Sequence, residues 1–178
     1  MAKQVINLGT APSGAGGDDR RSAWVKAIAN FDEIYNFIAT AFNRANVVGT
    51  VSQSAGVPTG ALMERGSNAN GTYEKYACGT LICRRSLAVS RTINVAYNGA
   101  FAATGAEPAR TFPAAFSSMP AISIEANGTG APTMIGYQDF SFSDTAYSGW
   151  PAVLLYGTAA RAAQYYTICY LAIGRWFE

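Results

Sequence analysis

The chain has 178 residues and a mass of 18.8 kDa, room for one ordinary domain or a small domain carrying an arm. Charged residues make up only 13%, against the roughly 25% that is usual, while 18 Gly, 10 Tyr and 9 Phe favour turns and strands. This composition excludes charge-driven disorder, and no apolar run approaches the ~18 residues of a membrane helix, so no membrane insertion is expected. The first residues, Met1 to Asn7, contain no apolar signal core, so no export signal is expected.

Histidine is absent. The commonest general base, the commonest metal ligand and every histidine-dependent triad go with it. No catalytic residues, metal site or cofactor are therefore expected, and the chain is not read as an enzyme. Cys78, Cys83 and Cys169 are odd in number and fit no zinc spacing. They are read as reduced thiols of a protein made in a cytosol, serving as small hydrophobes in strands. Residues 1–91 hold ten Lys/Arg against six Asp/Glu, and residues 92–178 hold three against five. A dense basic stripe is missing, so nucleic acid is not an expected partner.

In chain order, Val5-Ile6-Asn7-Leu8 is a short extended piece, and Gly9 to Gly17 is a glycine-rich loop. Asp18 or Asp19 supplies a helix N-cap, placing a carboxylate at the positive end of the dipole. From Arg20 to about Arg44 the chain lacks Gly and Pro. Within it Trp24, Ile28, Phe31, Tyr35, Ile38 and Phe42 are spaced 4, 3, 4, 3 and 4 apart. That is a heptad seam for helix-on-helix association, and its bulky side chains point to three strands rather than two. Ile34 and Phe37 widen the stripe, so the competing reading is an amphipathic helix lying on its own β domain.

The residues Gly9-Thr10-x-Pro12, Gly17-Asp18, Arg21-Ser22-Ala23-Trp24, Lys26, Asn30-Phe31 and Glu33-Ile34-Tyr35 resemble the N-terminal motif of tailed-phage fibre and spike proteins. Ser13-Gly14, Asp19 and Ala27-Ile28 depart from that pattern. The resemblance implies virion attachment through Ile6, Asn7, Leu8, Gly9, Thr10, Pro12, Asp18 and Arg21. It also implies a homotrimer held by the seam, with other tail, baseplate or collar proteins as partners.

Residues 46–60 lose the helical period and become small and polar, which marks a linker. Beyond it, turn residues at 67–71 and the Ala77-Cys78-Gly79 loop separate strand-like runs at 60–65, 72–76 and 80–87, a hairpin pattern. The stretch from Gly49 to Leu87 resembles a module of phage and prophage tail fibres in which Asp is common where Cys78 stands. Further strands are expected near 86–97, 120–126, 133–143, 151–157 and 164–176, with turns at Asn98-Gly99, 127–130, Ser148-Gly149 and Gly157-Thr158. Ala159 to Ala163 reads as a loop. The spacing argues for an antiparallel β-sandwich, jelly-roll-like, whose apolar last strand would sit in the centre of a sheet. Its close, together with residues 112–120, resembles a tail-fibre knob.

The glycine runs at 14–17 and 128–130 lack the Lys-Ser/Thr of a phosphate-binding loop. Asn70-Gly-Thr72 and Asn127-Gly-Thr129 match a glycosylation sequon that a cytosolic product would not use. Glycan binding asks for aromatic faces beside amides and carboxylates at loop tips, and Asn127, Tyr137, Asp139, Tyr147 and Trp150 fit that description. The alternative is that these aromatics fill the β interior or the trimer interface. Asp139 and Asp144 are the one pair open to glycan hydrolysis.

The reading is a mainly β protein with an N-terminal α-helix. Residues 1–45 attach to a virion and form a trimeric helical bundle; 46–60 link; 61–178 form a β-sandwich knob. The expected function is a fibre or spike, made in the host cytoplasm and located in the virion. Its knob would meet a bacterial surface glycan; the alternatives are an architectural collar or baseplate part, or a depolymerase.

Overall fold

The computed structural model describes residues 3–43, 45–128 and 149–178, and the backbone of 133–138. The described chain is mainly β, with one helix at the N-terminus and antiparallel strand pairing, and it divides into two compact units, Met1–Asn43 and Arg44–Glu178.

The first unit is a closed loop followed by a helix. Asn7 and Asp18 lock the loop from both ends: the Asn7 amide donates to Asp18 Oδ2 at 2.8 Å, and the Asp18 amide donates to the Asn7 carbonyl at 2.8 Å. Inside this frame Thr10 pairs with Ala15. A Cβ on Gly9, whose φ is +70°, would strike the Gly14 carbonyl, so the loop needs glycine there. Residues 5–8, expected as a strand-like piece, carry no strand.

The helix, α1, runs from Arg20 to Thr40. Of the two candidate caps Asp19 serves, accepting from the amides of Arg21 and Ser22 at 2.9 and 3.1 Å. The helix stops about one turn short of the expected Arg44. Thr40 donates its hydroxyl back to the Phe37 carbonyl at 3.0 Å, competing with the backbone amides for that acceptor, and Ala41 is already extended. No residue of α1 is buried.

The second unit begins with β1 (Gln53–Ser54) and β2 (Val57–Pro58), a small hairpin inside the stretch expected to be a linker. Its turn places Ala55 at a φ of 49°, a conformation alanine rarely takes, which is why the sequence does not announce it. Val51 is buried and its amide donates to Glu64 Oε2 at 2.9 Å. Residues 46–60 are thus part of the β unit, anchored by buried Val51, by its bond to Glu64 and by backbone bonds such as that from the Gly49 amide to the Met63 carbonyl at 2.9 Å.

β3 (Met63–Asn68) and β4 (Gly71–Tyr76) form a hairpin around Ala69-Asn70. β5 (Thr80–Tyr97) follows the Ala77-Cys78-Gly79 loop as expected. Asn98 and Gly99, both at positive φ, turn β5 into β6 (Ala100–Ala103). The remaining strands are β7 (Arg110–Thr111), β8 (Ala121–Gly128), β9 (Thr133–Gln138), β10 (Gly149–Trp150), β11 (Ala152–Gly157) and β12 (Arg161–Arg175). Arg161 to Ala163, expected as loop, already belong to β12, with a register irregularity before Gln164 absorbing the change of direction.

Among the described residues, eight strands share one sheet, in the order β3-β4-β5-β6-β11-β9, with β12 on the other edge of β5 and β8 beyond it. This differs from two separate stacked sheets. The reason lies in β5, whose 18 residues pair with β4 along the first part and β6 along the last, stitching both groups together. β8 and β9, at the two ends of the longer path, come into contact, so the sheet curls toward itself. β12 lies between β5 and β8, paired on both sides from Tyr166 to Ile173, which removes the edge that this apolar stretch would otherwise expose. Its even-numbered residues Tyr166, Ile168, Tyr170 and Ala172 are buried and join Leu81, Cys83, Phe112, Phe116, Trp150, Val153 and Leu155 in one core.

Candidate functional site

The arm presents the expected attachment residues on a pre-folded scaffold. Asn7 holds the loop through its side chain too, donating to the Gly16 carbonyl at 2.9 Å and accepting from the Gly9 amide at 3.0 Å. Asp18 takes the Lys26 ammonium at 2.6 Å, and this contact with the Asn7 amide holds its carboxyl below the usual carboxylate range. Asn7, Gly9 and Asp18 therefore shape the loop. Leu8, 82% exposed, and Val5 stand clear of it, with Thr10, Pro12 and Arg21 also exposed and Ile6 half-buried. A clamp that sequence reasoning missed joins arm to helix: Asn30 accepts from the Gln4 amide at 2.8 Å and donates to the Gln4 carbonyl at 2.9 Å.

The helical seam is uncovered along its whole length. Trp24 is 62% exposed, and Ile28, Phe31, Tyr35 and Ile38 are all more than half exposed, as are Ile34 and Phe37; Phe42, expected as the last seam position, is equally exposed but lies beyond the end of the helix at Thr40.

The expected glycan-contacting residues fare unequally. Trp150 is 2% exposed, contrary to the expectation of an open aromatic face. Its ring meets Phe112 edge-on at 4.6 Å and Tyr170 at 5.5 Å, and Nε1 donates to the Asn70 carbonyl at 3.3 Å. Pairing of β10 with β7 carries it inward, so Trp150 is a core residue. Asn127 is exposed on β8, opposite Thr167. Tyr137 lies in β9 with its backbone opposite Val153. Asp139, Tyr147 and the hydrolytic candidate Asp144 lie outside the described residues. The carboxylates of the described β unit have varied settings: Glu107, 6% exposed, pairs with Arg91, and Glu64 accepts from the Tyr73 hydroxyl at 2.8 Å. Burial pushes the Cys83 thiol up to about 11, whereas Thr80 and nearby Arg175 lower that of exposed Cys78.

The strand register assembles a polar face that no sequence motif marks. Across β5, β12 and β8 the outward rungs are Arg84–Leu171–Ser123, Ser86–Cys169–Glu125 and Ala88–Thr167–Asn127. The intervening rungs, such as Leu87–Ile168–Ala126, turn toward the core. Alternation of period two in each strand was the available signal; which strands lie side by side was not. The first two rungs and the β3–β4 turn line a cleft of about 870 Å³, within the size range of small-ligand sites. β4 pairs with β5 as far as Arg84, and β6 takes over at Ile93. Beside the cleft, the β5 edge after Arg84 therefore has no neighbouring strand among the described residues.

No protein-family model matches this chain, and no curated protein does. Two solved structures are similar to it. One is an N-truncated R1-type pyocin tail fiber, 16% identical with a TM-score of 0.39, covering 80% of this chain and 94% of that one. The other is a C-terminal portion of the P. aeruginosa R1 pyocin fiber, 16% identical with a TM-score of 0.39, covering 93% of this chain and 35% of that one. So slight an overlap does not by itself establish a shared fold.

Proposed function

We propose that this chain is a homotrimeric fibre or spike subunit of a tailed-phage particle. Its arm docks to another virion protein, its helices bundle, and its β unit is presented to a bacterial surface glycan. The observation that carries this reading is the bare seam: a 21-residue helix with no buried residue, whose large apolar side chains recur at heptad spacing. Water-exposed apolar area of that extent, at about 25 cal/mol per Å², is a strong drive to association. The 4-3 spacing fits the knobs-into-holes contact of like helices, so the occupant is a further copy of this chain. The pre-folded loop with Leu8 and Val5 outward suits docking by the arm, in keeping with the sequence motif. No catalytic step is assigned to the protein.

Light scattering of the purified chain tests this. A mass near three times 18.8 kDa is expected, and Phe31→Asp, which puts a charge into the seam, is expected to bring the mass down to that of one chain. A monomeric wild-type chain at micromolar concentration would remove the proposal.

The burial of Trp150 takes one expected ligand contact away, which favours as second reading an architectural collar or baseplate part without receptor. Virions carrying a filled cleft (Ser123→Trp) and adsorbing normally would support that alternative.

A further inference from the structure

We infer that Val95, Tyr97 and Tyr156 form a stacking platform for an uncharged saccharide, at the end of β5 away from the place where the chain enters the β unit. The inference rests on the reading of the β unit as the part that meets a surface glycan, and it names the class of glycan and the contact.

A break in strand alternation makes the platform. Ile93 faces the core with Ala103, and unbroken alternation would carry Val95 and Tyr97 inward after it. The register irregularity between Ile93 and Val95 turns them the other way, opposite Ala102 and Ala100. Ala102 also stands opposite Tyr156 on β11, so all these side chains share the outward face. Ala102, 3% exposed, is the floor, and the Tyr97 and Tyr156 rings lie 5.7 Å apart at 53°. Tyr97 remains 54% exposed and Val95 47%. The C–H face of a pyranose packs on the electron-rich face of such a ring. Phenol hydroxyls and the exposed amides of Asn94 and Asn98 can exchange hydrogen bonds with sugar hydroxyls. Residues 92–103 and 149–160 contain no charged side chain, so nothing in these segments selects an ionic group. Two large exposed side chains fall far short of the roughly 800 Å² per partner of a stable protein interface, which favours a small ligand over a second copy. The placement suits a receptor contact. The chain enters the unit beside Met63, whose strand partner Tyr76 stands just before β5. β5 then runs 18 residues, at about 3.3 Å each, before the Asn98-Gly99 turn next to Tyr97.

Binding of the full-length chain to immobilised lactose, maltotriose and N,N′-diacetylchitobiose tests this. Immobilisation lets the copies on one fibre act together, so each site can be weak. Binding to at least one of the three is expected, unchanged in about 0.5 M salt and not displaced by sorbitol, an open-chain polyol without a ring face. Tyr97→Ala is expected to weaken it by about tenfold or more, and Tyr97→Phe, which keeps the ring, by about threefold at most. A thermal melt checks that Tyr97→Ala folds; Tyr97→Leu, which keeps apolar bulk without the ring, serves the same test if it does not. No binding to any of the three, or wild-type binding by the Ala and Leu variants, overturns the inference. So does a lower mass of Tyr97→Ala in light scattering, which would make this face a contact between copies. Binding retained by the variants removes the platform and leaves the glycan reading standing, whereas a monomeric wild-type chain removes the fibre reading whatever the probes show. The platform shares no residue with the cleft, so the architectural alternative requires normal adsorption with Tyr97→Ala as well as with Ser123→Trp.

Discussion

At the scale of single residues, the same side-chain type serves opposite ends according to its neighbours. Trp24 and Trp150 are both large aromatics, yet the first lies bare on a helix and the second is enclosed by Phe112 and Tyr170. Trp150→Ala is therefore expected to cost about 3–5 kcal/mol of stability, read by urea denaturation. A loss well under about 1 kcal/mol would mean the ring is not enclosed. The thiols divide in a similar way. Cys83 is buried with its titration pushed up to about 11, so it stays protonated at any ordinary pH, while Cys78 is exposed and its titration lies below the usual thiol value. Iodoacetamide at mildly alkaline pH is expected to label Cys78 within the folded protein and leave Cys83 untouched until denaturant is added. Peptide mass mapping checks this; prompt labelling of Cys83 would contradict the packing.

At the scale of elements, the arm and the helix depend on one carboxylate network. Asp18 has its titration lowered by Lys26 and by the Asn7 amide. A depressed folded value means the contribution is fully present above the ordinary carboxylate value of 3.8 and is lost as pH falls through the depressed one. The amide resonance of Asn7 is expected to hold its position from neutrality down to about pH 5 and to move only in more acid solution. Asp18→Asn is expected to release the loop at neutral pH while leaving the Asp19 cap and the helix in place, a difference that circular dichroism and NMR separate. Early movement of Asn7, above about pH 5, would show that Asp18 is not its anchor. The limits of the helix teach a related lesson. Composition predicted continuation to Arg44, but the Thr40 hydroxyl, bonded back to Phe37, ends the regular stretch sooner.

At the scale of the molecule, the two compact units carry different forces. The core of the second is closed within Arg44–Glu178 and includes no residue of the arm or helix. A chain lacking residues 1–43 is thus expected to keep a single cooperative melt near that of the intact protein, yet to lose higher mass in light scattering. A truncated chain that fails to melt cooperatively would show that the β unit needs the helix for stability. Because β12 is the strand that joins β8 to β5 and supplies four buried side chains to the core, its removal is expected to abolish the cooperative melt.

What could be read from the amino acids alone was whatever short-range physics governs. The glycine loop, the capping aspartate, the start of the helix and the Asn98-Gly99 turn each depend on residues a few positions apart, and each is found where it was expected. The enclosure of Trp150, the inclusion of residues 46–60 in the β unit and the rungs that bring Arg84, Ser123 and Glu125 to one cleft depend on strands distant in the chain. Alternation says that a strand has two faces; only the pairing of β5, β12 and β8 decides which residues share one. Register is a long-range choice, made by the burial of the opposite face, and no local pattern encodes it.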